Sequence, residues 1–382
     1  MNLEKQQTNF AKSRLDSFKA LTALAGNSRL LWTGLALLII LLIDRIVSPN
    51  FFEVRMVNDR LVGSLVNILD NSAPYALLAI GMTLVIATKG IDLSVGAVMA
   101  ICAAVAVTLI NQYEAGATEF YYQPGFVIVI TIVVGAICGM WNGILIAFLD
   151  IQPIIATLIL MVAGRGVAQM ITNGQSPTFT DDSLAFIGRG VVGGVPFPIY
   201  IAIVVLLLVT LLVRRTALGL LIEAVGVNDR ASYYAGIQAS AIKMFVYMLS
   251  GMCAAIAGMI VAGEVKSADP NSAGLFSELD AILAVVIGGT SLAGGRFYLF
   301  LSVMGVLIIQ SMLAGLYVSD LHPTTNLVVK AVVVLAVLLL QSHEFRRFVS
   351  QLFSLIRSFP TWCILQYHEF RRFVSHRFRR TA

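Results

Sequence analysis

Residues Glu223 to Ile237 read EAVGVNDRASYYAGI, a polar island between two long apolar runs at 198–213 and 243–262, announced by Arg214 and Arg215. The flanking runs are long enough, or nearly so, to cross a bilayer, so the island is a short excursion from a membrane-embedded bundle. Asn228 suits a helix N-cap, because its side-chain oxygen can accept a free N–H of the first turn, and Gly236 is a natural stop. Between them lies room for about seven residues, a rod roughly 10 Å long at 1.5 Å per residue. So short a helix is marginal alone and calls for a packing partner. It is either an ordinary surface loop between spans or an element that another protein reads.

Working outward, the composition agrees with the flanks. The chain is 58% hydrophobic and 12% charged, with a mean hydropathy of +0.87, which excludes an ordinary soluble domain. Apolar runs fall near 30–48, 72–88, 95–112, 126–148, 154–171, 198–213, 243–262, 280–293, 298–316 and 326–341. The expected fold is an all-α polytopic bundle of about ten transmembrane helices. The run at 280–293 is short and ends at Gly288, Gly289, Gly294 and Gly295, so it reads either as a full span or as a half-helix or re-entrant turn.

Lys and Arg in short flanking loops set the orientation. Lys5, Lys12, Arg14, Lys19 and Arg29 precede the first span, and Arg346, Arg347, Arg357, Arg371, Arg372, Arg377, Arg379 and Arg380 follow the last. Both termini are therefore expected in the cytoplasm, which requires an even number of spans. Lys89, the 214–243 segment and Arg296 then face inward, whereas 113–124 and 317–325 carry no Lys or Arg. Arg55 and Arg60 in the first outer loop are exceptions, partly balanced by Glu53 and Asp59. The domains read as a cytoplasmic segment 1–29, a membrane domain 30–342 carrying the cytoplasmic stretch 214–242, and a basic tail 343–382.

Several classes are excluded by what the chain lacks. The first apolar run follows a long polar segment and runs into Asp44 and Arg45 without a small-residue cleavage site, so it reads as a retained anchor. Cys102, Cys138 and Cys253 lie inside spans and Cys363 in the tail, a pattern with neither a disulfide framework nor zinc spacing. His322, His343, His368 and His376 all fall outside the spans, against a haem or metal centre in the bundle. No lysine follows a glycine, so the Gly-Lys-Ser/Thr of a phosphate-cradling P-loop is absent. Any ATPase is another chain. No catalytic residue, cofactor or metal site is expected, and nucleic acid is not an expected partner.

Few polar residues remain near the membrane. In TKGIDLSVGA, Gly90 and Gly96 permit a tight turn, and Asp92 either caps the next helix, the favoured reading, or takes part in substrate passage. Arg165 is the only arginine well inside an apolar segment; it either faces the bundle, a cavity or an interface, or snorkels to the outer headgroups, which its closeness to Thr172 favours. Glu264, Lys266, Glu278 and Asp280 frame an outer loop, and Lys330 stands where it could pair within the bundle or lie near an interface. Small residues in GAICGMWNG (135–143), AGMIVAGE (257–264) and IGGTSLAGG (287–295) let helix backbones approach closely, and close, weakly interlocked helices slide at small cost.

Five stretches, in order, carry a family resemblance: GIDLSVGAVMA (90–100), NGILIAFLDIQPIIATL (142–158), EAVGVNDRASYYAGI, SGMCAAIAG (250–258) and ELDAILAVVIGGTSLAGGRF (278–297). Over residues 30–342 the chain resembles permeases of bacterial sugar-importing ABC transporters of the ribose, arabinose and galactose group. ALLAIGMTLVIAT, ATLILMVAGRGVAQ and VVKAVVVL look most like galactofuranose permeases. The resemblance implies an inner-membrane subunit that passes a monosaccharide from periplasm to cytoplasm. It also implies a second permease chain, copy or paralogue, a separate ABC ATPase that holds the ATP, and a periplasmic sugar-binding protein. By the same resemblance the polar island is the ATPase-coupling loop, with Glu223, Gly226, Asn228, Ala231 and Gly236 as its marked positions. The competing readings from the residues are an ion- or proton-coupled carrier, which would call for buried acids in pairs, and a membrane-embedded enzyme or scaffold, which would call for a polar cluster.

The tail stands apart from the resemblance. HEFRRFVS at 343–350 recurs at 368–375, and Phe345, Phe348, Val349, Leu352 and Ile356 fit one face of a helix with arginines elsewhere. That pattern suits either a helix lying on anionic membrane lipid or a dispensable extension.

Overall fold

A computed structural model describes residues 28–318 except Asn58, together with Val328, Ala331, Val332, Leu335 and Leu339. The N-terminal basic segment, His322, Lys330, most of the run at 326–341 and the repeated HEFRRFVS tail lie outside the described residues. The chain divides into a unit ending at Lys330 and a second from Ala331, and every element named below lies in the first.

Among the described residues, eight helices are long and apolar enough to cross a membrane. They are α1 (Ser28–Val47), α2 (Ser64–Ala87), α3 (Val95–Glu114), α4 (Pro124–Ala147), α5 (Pro153–Ile171), α7 (Phe197–Arg215), α10 (Ala239–Val265) and α12 (Leu299–Val318). Shorter helices interrupt them: α6 (Asp182–Arg189), α8 (Leu218–Val227), α9 (Asp229–Tyr234) and α11 (Ser277–Ile287). Two small hairpins, β1 (Arg55–Val57) with β2 (Arg60–Val62) and β3 (Val191–Val192) with β4 (Val195–Pro196), pair antiparallel.

The run at 280–293 resolves as a half-helix. The eleven residues of α11 span about 16 Å at 1.5 Å each, half the roughly 30 Å of a hydrocarbon core. Gly289, Gly294 and Gly295 then turn the chain with positive φ, a conformation in which a Cβ is strained. Conversely, α2 begins eight residues before the apolar run suggests. The helix absorbs Asp70 and Ser72 because Arg60 pairs with the Asp70 carboxylate at 3.2 Å and the Ser72 hydroxyl donates back to the Ile68 carbonyl. Pro74 is tolerated inside it.

The axis of the bundle is α10, against which α2, α3, α4 and α6 pack. Its partners approach backbone to backbone. On α4, Gly135, Gly139 and Gly143 recur every four residues and therefore line one face; a Cβ at any of them would run into Gly251, Tyr247–Met248 or Met244 of α10. The same holds where Gly81 of α2 meets Ser250, Gly258 meets Met99 of α3, and Gly263 meets Gly188 of α6. Large apolar side chains remain for the outer surface, such as Leu207, Leu208 and Leu211 on α7 and Val162 and Met170 on α5, all exposed. Close glycine contacts inside and leucines outside are the arrangement that a lipid solvent favours.

Contacts sort the connections into two ends. At one, Thr88–Gly90, Asp150–Pro153, α8–α9 and Gly294–Gly295 come together. At the other, the Glu114 carboxylate accepts from the Thr180 and Asp181 amides, Thr178 bridges to Ser267, and Leu61 donates to the Gly194 carbonyl.

Candidate functional site

The segment 214–242 is built mostly of helix. Arg214 and Arg215 close α7, α8 follows after Thr216–Ala217, and Asn228 alone separates α8 from α9. Its φ of −156° and ψ of 105° are extended, so the chain bends sharply there, and its side chain accepts from the Ala231 amide at 3.1 Å. That bond satisfies one of the free N–H groups at the start of α9. Gly236, with φ of 84°, turns the chain out of α9. The six-residue α9 is held to α10 by the Lys243–Asp229 ion pair.

The outward face of α9 is aromatic. Tyr233 and Tyr234 are 72% and 87% exposed, with rings 6.0 Å apart in an edge contact. Beside them opens a cleft of about 630 Å³ lined by Phe148, Asp229, Arg230, both tyrosines and Gln238–Ala241. Exposed paired tyrosines beside an apolar-and-charged cleft have the composition of a protein contact. The cleft was not legible locally, since Phe148 comes from the far end of α4.

The sequence-marked positions divide. Asn228, Ala231 and Gly236 lie on or beside α9 and are exposed, and Glu223 is half-buried on α8. Gly226 is different: it is buried, and a Cβ there would collide with the Ala87 carbonyl and stand 2.7 Å from the Gly295 amide. Its place is inside the permease, where α8 rests on the end of α2.

Asp92 lies in the turn between α2 and α3 and is 2% exposed. Its Oδ1 accepts from the Ser94 amide at 3.0 Å and the Ser94 hydroxyl at 2.6 Å, and its Oδ2 from the Ser250 hydroxyl at 3.1 Å. Asn142 donates to the Ser94 hydroxyl at 2.8 Å. Burial pushes the Asp92 carboxyl up, and the bonds from Ser94 and Ser250 pull the other way. Rather than bonding a free amide of the first helical turn, Asp92 holds Ser94, the residue just before α3, and ties it to α4 and α10. Gly90 sits against the Tyr247 hydroxyl.

Arg165 is also placed differently from the snorkelling expectation. It is half-buried, and its Nη1 donates to the carbonyls of Pro270 and Ala273 at 3.2 and 2.5 Å. Gln169, a turn later, donates to the Asn271 side chain at 2.7 Å. Both residues fasten α5 to the loop before α11. In that loop Asp269 accepts from Ser272 and Asn271, which holds its carboxyl below the usual range.

Among the described residues, eight bilayer-length apolar helices around a glycine-lined axis, with a small aromatic-tipped helix presented at one end, define a polytopic helical membrane protein. Comparison with known proteins supplies the family. Residues 64–338 match the family described as the permease component of branched-chain amino acid transport systems, and the chain belongs to it. It is 55% identical over 310 residues to the galactofuranose transporter permease protein YtfT of Escherichia coli K12, covering 81% of this chain and 89% of that one. It is 39% identical over 325 residues to the fructose import permease FruF of Bifidobacterium longum, covering 83% and 89%. The ribose import permease RbsC of Escherichia coli K12 is 38% identical over 314 residues, covering 81% and 92%. No solved structure matches. The protein is a multi-pass inner-membrane permease of the sugar-import group.

Proposed function

We propose that this chain is the membrane-spanning subunit of an ATP-binding-cassette importer that carries a monosaccharide, galactofuranose, from periplasm to cytoplasm. The 55% identical relative bears that sugar in its name, and the others bear fructose and ribose. The observation that carries the coupling part of the reading is α9, whose Tyr233 and Tyr234 stand exposed beside a cleft. On this reading the ATPase docks on α9, with Asn228, Ala231 and Gly236 shaping the contact and Glu223 supporting it. A periplasmic binding protein delivers the sugar at the opposite end. A second permease chain, copy or paralogue, completes the pathway, both termini lie in the cytoplasm, and the spans number ten. ATP belongs to the partner, and this chain holds no cofactor.

Reconstitution tests it. In liposomes the chain alone is expected to give no concentrative uptake of galactofuranose, and uptake is expected once an ATPase and a sugar-binding protein of this importer class are added with ATP. Uptake driven by a proton or sodium gradient, without an ATPase, would establish the carrier reading in its place.

A further inference from the structure

Three stretches of backbone meet at the inner side of α8. The first is the end of α2, where Ala87 is the last helical residue and Lys89 follows with φ of 63°. The second is the end of α8, Gly226 and Val227. The third is the glycine turn after α11, where Gly294 and Gly295 have φ of 81° and 93°. The Gly295 amide donates to the Ala87 carbonyl at 2.9 Å. Lys89 reaches over the junction and its Nζ donates to the Val227 carbonyl at 2.9 Å. That carbonyl is among the last of α8, where a cation is favoured by the helix dipole as well as by the hydrogen bond.

Little room remains for relative motion at this point. A Cβ on Gly226 would strike the Ala87 carbonyl, and one on Gly294 would strike the Lys89 side chain and stand 2.8 Å from the Gly226 carbonyl. Backbone in contact with backbone has no rotamers through which to absorb a push. The route from α9 to α10 is softer, since it runs through the four-residue connection 235–238, which turns at Gly236 with φ of 84°, and through one ion pair on a flexible lysine, Lys243 with Asp229. Asn228 is the single residue between α9 and Gly226–Val227, so a displacement of α9 reaches the junction within two residues.

We propose that Lys89, Gly226 and Gly294–Gly295 form a clasp that carries displacement of α9 to the end of α2 and to the turn between α11 and α12. In it, Lys89 is a positioning residue for ATP-driven transport. The proposal rests on the reading of α9 as the ATPase contact. Lys89 binds neither ATP nor sugar; it keeps α8 seated on α2 while the contact is loaded.

The experiment uses the assembled complex of permease, ATPase and binding protein in proteoliposomes, and measures galactofuranose imported per ATP hydrolysed. Lys89→Met is expected to co-purify with the ATPase as the wild type does. It should lower the sugar-to-ATP ratio about fivefold, the scale set by the loss of one solvent-exposed charged contact. Lys89→Arg keeps a cationic donor and should restore most of the ratio. Gly294→Ala tests the same contact from the opposite chain and should lower the ratio with Lys89 intact. A wild-type ratio in both Lys89→Met and Gly294→Ala overturns the clasp, and so does loss of ATPase co-purification in Lys89→Met, which would put Lys89 on the docking face. The α9 reading fails separately if Tyr234→Asp still co-purifies with the ATPase, whichever way the Lys89 variants behave.

Discussion

At the scale of the residue, Arg165 shows how geometry changes an expectation. A single nitrogen of its guanidinium serves both loop carbonyls, so the planar two-nitrogen fork that lysine cannot imitate is not what the site uses. Arg165→Lys is therefore expected to keep the outer loop in place. Arg165→Ala removes both hydrogen bonds and leaves Gln169 to hold the loop, and tryptic cleavage at Lys266 in membranes exposing that face should accelerate by roughly tenfold or more, since even one hydrogen bond to a charged group is worth that. Equal cleavage in the alanine variant and the wild type would show that the loop stands without it. The charge of Arg165 was legible in the sequence, but its partners were not, because Pro270 and Ala273 lie more than a hundred positions away. Gly226 was opaque for the same reason: its neighbours Ala87 and Gly295 are brought to it only by the folded bundle. Asn228 and Gly236, whose roles are local, were readable from their immediate surroundings.

At the scale of the element, the length of apolar runs located most spans, and polar side chains displaced their boundaries. The start of α2 escaped because Asp70 and Ser72 break the apolar run, and only the structure supplies Arg60 and the Ile68 carbonyl as their partners. The glycine face of α4 was visible as GAICGMWNG, without its partner. Replacing Gly139 by Leu forces a side chain into the Tyr247–Met248 backbone, and overpacking of that kind costs about 1–3 kcal/mol or more. The variant is expected to lose thermal stability in detergent, followed by size-exclusion of heated samples. Gly166→Ala, on α5 with open space around it, should match the wild type. Comparable melting of the two variants would mean that α4 does not depend on this seam.

At the scale of the whole molecule, the division of loops into two ends can be tested directly. Tyr234 and Leu275 are both well exposed and lie in the segments assigned to opposite ends. In a chain whose own cysteines are replaced, Tyr234→Cys should react with a membrane-impermeant maleimide only in inside-out vesicles. Leu275→Cys should react only in vesicles of the opposite orientation. Labelling of both in one vesicle type would contradict the placement of α9 in the cytoplasm. Composition and basic flanks sufficed to read a polytopic bundle, whereas the pairing of helices across it depended on long-range contact.

The seam between α4 and α10 has a thermodynamic consequence. An ordinary helix contact freezes the rotamers of the side chains it buries, at up to about 2 kcal/mol for a long one. Gly135, Gly139, Gly143 and Gly251 have no rotamers to freeze, so the attraction between these two backbones is won with almost no ordering penalty. Such a joint should loosen little as temperature rises.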